Sequence, residues 1–134
     1  MGRVGVWVVV AALVLTGGLA SPAAADVGVW PIAGGVTRAY DLPEARWGSG
    51  HRGVDLAGEP EAAVRTPRPG VVSFVGVVAG EAVVVVSHGE TRTTFQPVVA
   101  SVPVGQRVAA GEVVGRLLAG HAPCPASACL HWGL

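Results

Sequence analysis

The chain has 134 residues, with nine basic side chains against nine acidic ones and a formal net charge of zero. That length is enough for one small domain. So even a balance leaves no basic face for nucleic acid, and that partner class is set aside.

The first residues read as an export signal. Arg3 gives a short positive start, residues 4–15 form an apolar run of about 12 residues, and Ala23-Ala24-Ala25 offers small side chains for cleavage. The run is well short of the ~20 residues that span a bilayer. Residues 1–25 are therefore expected to be a signal peptide. The chain from Asp26 would be secreted, or extracytoplasmic and cell-wall associated, with no stable membrane span after cleavage. In that compartment the two cysteines, Cys124 and Cys129, can persist as a disulfide.

Residues 26–35 read as an entry strand or arm ended by Pro31 and Gly34-Gly35. Residues 36–47 carry Pro43 and no helical period, and are expected to wrap the surface and deliver the chain to His51. Residues 26–50 are thus an N-terminal arm on a domain at 51–134. The stretch Gly50-His51-Arg52-Gly53-Val54-Asp55-Leu56 sets an imidazole and a carboxylate four positions apart. Both are good ligands for a borderline metal such as zinc. In an extended segment, His51 and Asp55 would share one face.

From Ala57 onward no i, i+3, i+4, i+7 pattern is sustained, and Gly and Pro recur every few residues. Residues 70–78 (GVVSFVGVV) and 82–88 (AVVVVSH) read as strands around a hairpin turn at Ala79-Gly80-Glu81. His88-Gly89-Glu90 turns the chain into a threonine-rich strand at 91–95. Val102, Gly105, Val108, Gly111 and Val114 then recur at steps of three. That spacing suits short strands joined by tight turns, with glycine where φ must be positive. A Pro/Ala/Gly loop at 119–128 holds both cysteines, and a last strand starts at Leu130. The expected fold is all-β, a small antiparallel β-barrel or sandwich.

In Cys129-Leu130-His131-Trp132-Gly133-Leu134, Cys129 and His131 would share one face of a strand. His51, Asp55 and His131 together make two imidazoles and a carboxylate. Around a tetrahedral zinc these leave the fourth position open, as in catalytic sites. The other candidates are weaker. His88 follows a strand at a turn, His121 lies in Gly120-His121-Ala122-Pro123 and reads as a solvated loop histidine, and Glu59, Glu61, Glu81, Glu90 and Glu112 sit at turns. Trp132 and Phe95 read as core or cleft wall, and Arg52 as an exposed arginine.

From about Trp30 to the end, the sequence resembles the lysostaphin-type (LytM-like) zinc peptidases that cut peptide bonds in bacterial cell walls. The resemblance is carried by His51-x-Gly53-x-Asp55, by Val64-Arg65-Thr66-Pro67-Arg68-Pro69-Gly70-Val71-Val72 and by Val84-Val85-Val86-Ser87-His88. It continues in Val104-Gly105-Gln106-Arg107-Val108-Ala109-Ala110-Gly111-Glu112-Val113-Val114-Gly115 and Leu130-His131-Trp132. It implies a fold of the barrel-sandwich-hybrid, duplicated-hybrid-motif type and one zinc ion on His51, Asp55 and His131. It implies peptidoglycan peptides as substrates, the zinc polarising the scissile carbonyl and acidifying a water. The same architecture occurs in lipoyl and biotinyl carriers, but these need an acceptor lysine and this chain has none.

Two histidines that usually assist in such enzymes are replaced. The first His of the family's H-x-H is Cys129, and the His of its Y-A-H-L falls at Gln96, nine residues before Gly105. Glutamine donates a hydrogen bond but takes no proton near neutral pH. Cys129 has three open fates: a disulfide with Cys124, a fourth zinc ligand or neighbour of the metal, or a free thiol. In the first it has no acid–base role. The implied function is an exported zinc metalloendopeptidase. The alternative is a catalytically degenerate member that binds cell-wall peptide or regulates a partner hydrolase such as an amidase. The family normally continues past H-W-G-L through another strand, so the domain reads as truncated at its C-terminal end, with a sheet edge expected to be unpaired.

Overall fold

The computed structural model describes residue 2 and residues 28–134. Apart from Gly2, the expected signal segment lies outside the described residues. Among the described residues there are ten strands and no helix, as the absence of helical periodicity predicts. No helix of the described residues is long and apolar enough to cross a membrane. The strands are β1 Val36–Arg38, β2 Val54–Gly58, β3 Ala63–Arg65, β4 Gly70–Val78, β5 Glu81–Ser87, β6 Arg92–Gln96, β7 Val98–Ala100, β8 Arg107–Val108, β9 Val113–Leu117 and β10 Ala128–Gly133.

Two antiparallel sheets form. The larger runs β1-β2-β10-β6-β5-β4-β8 and the smaller β3-β9-β7. The valine-rich β4 and β5 pair from Val71↔Ser87 to Val78↔Glu81, with one register shift between Val72 and Phe74, because β-branched side chains fit the pleated surface. Their connection is tighter than expected: the turn residues are Ala79 and Gly80, both at positive φ (50° and 82°), and Glu81 already belongs to β5. Such a turn matches the right-handed twist of the flanking strands. The valine–glycine stretch behaves as its spacing suggests. Gly105 (φ 92°) and Gly111 (φ 79°) turn the chain on either side of β8.

Alternation within the strands builds one core between the sheets. Leu56, Val72, Val84, Val86, Phe95 and Leu130 come from the large sheet, and Val64, Val98, Val114 and Leu117 from the small one. The arm is part of this body. Ile32 joins the core, the Arg65 amide donates to the Pro31 carbonyl, and β1 pairs with β2. The last strand does not lie at an edge. β10 pairs with β2 on one side and β6 on the other, and the edges of the large sheet are β1 and β8.

Candidate metal centre

The site is built on the face of the large sheet opposite the core. Leu56, Leu130 and Phe95 point inward, so their neighbours Asp55, His131 and Gln96 point out. Register then aligns them: His131 of β10 lies opposite Asp55 of β2 and opposite Gln96 of β6. One row of side chains thus crosses three adjacent strands.

His51 reaches this row by a route the sequence did not predict. The segment 51–55 is not extended throughout, because Arg52 and Gly53 form a bend before β2 begins. The bend is what makes the pair possible, since four residues of straight strand would part the two Cα atoms by about 13 Å. Instead His51 Nε2 lies 2.9 Å from Asp55 Oδ1. A bridge to Asp41 fixes the His51 backbone, with N–H···O distances of 2.7 and 2.9 Å in the two directions.

Three donor atoms converge. His131 Nδ1 lies 2.9 Å from Asp55 Oδ1 and 3.0 Å from His51 Nε2. His51 Nδ1 lies 2.8 Å from the Ala39 carbonyl, which can only accept, so Nδ1 carries the proton. In the neutral ring this turns the Nε2 lone pair toward the centre, the arrangement in which a histidine binds metal. Asp55 is fully buried, and its second oxygen, Oδ2, is a buried atom with no hydrogen-bond partner among the described residues. A buried carboxylate needs a compensating charge. The His131 imidazole supplies it poorly: burial lowers its pKa below the ordinary 6.5, against the opposing pull of the Asp55 carboxylate. Zinc–ligand bonds of about 2.0–2.1 Å at the tetrahedral angle set donor atoms roughly 3.3 Å apart. The observed spacing is within a few tenths of an ångström of that, so these residues fit zinc.

The remaining candidates divide. His121, read as a solvated loop residue, is instead drawn into the cluster: its Nε2 lies 3.4 Å from Asp55 Oδ1, and its side chain is only 13% exposed. With His51, Asp55 and His131 it makes a set of four whose donor atoms all lie within 4.8 Å of one another. The loop pattern hid this, and the one usable signal was the Cys124–Cys129 pair. That pair is joined by a disulfide, with Cα atoms 5.7 Å apart, which ties the 119–127 loop to β10 two residues before His131. Cys129 is therefore neither a free thiol nor a metal ligand. Gln96 donates from Nε2 to Glu81 Oε2 at 2.9 Å. His88 is a clip between strands, with Nδ1 2.8 Å from the Pro69 carbonyl and Nε2 2.8 Å from the buried Thr93 hydroxyl. Phe95 is core, and Trp132 meets Trp30 edge to face with ring centroids 5.8 Å apart. Arg52 donates to the Arg46 carbonyl.

Two imidazoles and a carboxylate held on the outer face of an antiparallel sheet make a donor set suited to one metal ion. Residues 49–134 match the family model of Peptidase family M23, and the chain belongs to that family. A relative from Mycobacterium tuberculosis, an uncharacterised protein, is 48% identical over 120 residues, covering 85% of this chain and 48% of that protein. The chain thus spans about half the length of the curated relatives it matches. Among solved structures, a zinc-containing peptidase from Vibrio cholerae is similar at a TM-score of 0.60 and 24% identity, over 73% of this chain and 32% of that one. The catalytic domain of the antimicrobial peptidase lysostaphin from Staphylococcus simulans is similar at 0.59 and 20% identity, over 74% and 77%.

Proposed function

We propose that this chain is an exported zinc metalloendopeptidase-like domain that acts on the peptide cross-links of peptidoglycan. The observation that carries the reading is the meeting of His51 Nε2, Asp55 Oδ1 and His131 Nδ1 within 2.9–3.0 Å, on a lone-pair-presenting tautomer of His51. Bound there, zinc supplies Lewis acidity toward a peptide carbonyl and acidifies water. The chain's own residues do the rest. Asp55 contributes the buried negative charge, and the Ala39 carbonyl holds His51 in its tautomer. A groove of 480 Å³ lined by Phe74, Val78, Val83, Val85, Thr94 and Gln96 reaches the cluster's side of the sheet at Gln96, the register partner of His131. Membership of a peptidase family supports cleavage, and the apolar run at residues 4–15 supports export.

A second reading has its own observation. Gln96 cannot accept a proton, and the Cys129 sulfur is committed to a disulfide, so neither replaces the missing histidines as an acid or base. Loss of general-base assistance alone costs roughly 10²–10⁴ in rate. On this reading the domain binds wall peptide or regulates a partner hydrolase without cutting. Release of muropeptides from purified sacculi by zinc-loaded protein, with a His51→Ala control, decides between them. Release by the wild type alone supports the peptidase. Stoichiometric zinc with no release overturns it in favour of binding, and equal release by His51→Ala overturns the role of the site.

A further inference from the structure

Three donors suffice for a site of this type, yet a further histidine, the third of the cluster, is held against it by a chain of contacts from a different part of the fold. The His121 ring tilts against that of His131, with centroids 5.2 Å apart, and turns Nε2 toward Asp55 Oδ1 at 3.4 Å. Its other nitrogen, Nδ1, lies 3.4 Å from Glu81 Oε1. The second oxygen of Glu81 accepts from the Gln96 amide at 2.9 Å, and Gln96 is the register partner of His131. The loop carrying His121 is closed covalently onto β10 by the Cys124–Cys129 bond.

We propose that His121 is a fourth protein ligand that closes the zinc site, with Glu81 as its positioning carboxylate and Gln96 as the support of Glu81. This rests on the reading of His51, Asp55 and His131 as zinc ligands. A metal-binding imidazole usually donates its remote N–H to a carboxylate or carbonyl, which fixes the tautomer and the ring plane. Glu81 does for His121 what the Ala39 carbonyl does for His51. With Nδ1–H given to Glu81, the Nε2 lone pair faces the centre, and a cation relieves its opposition to the Asp55 oxygen. Gln96 has a matching reason to be an amide. Its N–H holds one oxygen of Glu81 and leaves the other for His121, with no second imidazole competing for that carboxylate. The substitution at 96 and the histidine at 121 are then two parts of one rearrangement.

The functional consequence follows from ligand count. Four protein donors are the pattern of a closed site, whereas a catalytic site keeps one position for water or substrate. In the closed state the loop at 119–127 must withdraw His121 before a peptide carbonyl can reach the metal.

Cobalt(II) substitution with azide as an exogenous ligand tests this, alongside zinc affinity measured by chelator competition. Wild type is expected to give a tetrahedral visible spectrum that azide does not change. In His121→Ala the spectrum responds to azide, and zinc binds about 10–100-fold more weakly in both His121→Ala and Glu81→Ala. The unfolding midpoint of each metal-free variant establishes that it is folded. An azide-sensitive wild-type spectrum, or His121→Ala binding zinc as the wild type does while His51→Ala has lost it, overturns the inference and leaves the three-ligand reading standing. A wild type that binds no zinc overturns that underlying reading as well.

Discussion

Gly53 offers a direct probe of how closely the metal centre is packed. It sits in the bend between His51 and Asp55, and a Cβ built there would lie 2.7 Å from His131 Cε1, from His131 Nε2 and from the Trp132 carbonyl oxygen. Carbon atoms pack comfortably from about 3.5 Å, so Gly53→Ala must open the gap by roughly 0.8 Å. One obstacle is backbone of β10, so a side-chain rotation alone does not relieve the clash. A ligand shift of that size is several times the ~0.2 Å tolerance of a metal–ligand bond. The backbone at Gly53 is not in the left-handed region, so the effect is steric rather than conformational. Overpacking predicts about 1–3 kcal/mol of lost stability in the metal-free protein, together with at least ~10-fold weaker zinc binding. Urea unfolding in EDTA reads the first and chelator competition the second. Gly133→Ala is the control, since its Cβ would meet its nearest atoms at an ordinary 3.7 Å. If Gly53→Ala binds zinc as tightly as Gly133→Ala does, His131 is not held where the site requires it.

The Cys124–Cys129 bond closes a ring at a sequence separation of five, and chain entropy assigns such a ring about 2 kcal/mol. The double variant Cys124→Ser/Cys129→Ser is expected to melt roughly 8–16 °C lower by calorimetry, and an unchanged midpoint would contradict the stapled loop. Phe95→Ala removes the largest fully buried side chain among the described residues and should cost about 3–5 kcal/mol in urea unfolding. Val77→Ala, at a position 70% exposed, should stay within about 0.5 kcal/mol.

Most of the sheet was legible in the sequence because its signals are local. The bounds of β4 follow from a valine-rich run closed by a turn, and those of β5 and β6 lie within a residue of the expected ones. The three residues His51, Asp55 and His131 were legible through the spacing of their motifs, and they do meet in space. What the motif does not contain is the bend at Arg52-Gly53. That bend depends on the pairing of His51 with Asp41 and on the Ala39 carbonyl, both in the arm. His121 was misread for a related reason. Its loop has no period to read, and its course is set by a covalent bond to β10 and by Glu81, forty residues earlier in the chain. Glu81 itself read as an ordinary turn acid because its role exists only once β5 lies beside β6 and Gln96 reaches across. The place of β10 was not legible because strand order is non-local: the last strand to be made inserts between β2 and β6.

On the proposed reading, the buried carboxylate of Asp55 and the imidazoles around it hold one zinc ion. Metal content of the purified, dialysed protein decides this, with Asp55→Ala, checked for folding by circular dichroism, as the comparison. One zinc per wild-type chain is expected, and less than a full equivalent in Asp55→Ala, since loss of the carboxylate leaves only neutral imidazoles. A folded wild type without zinc, or an Asp55→Ala protein that keeps a full equivalent through dialysis, would sink the zinc reading.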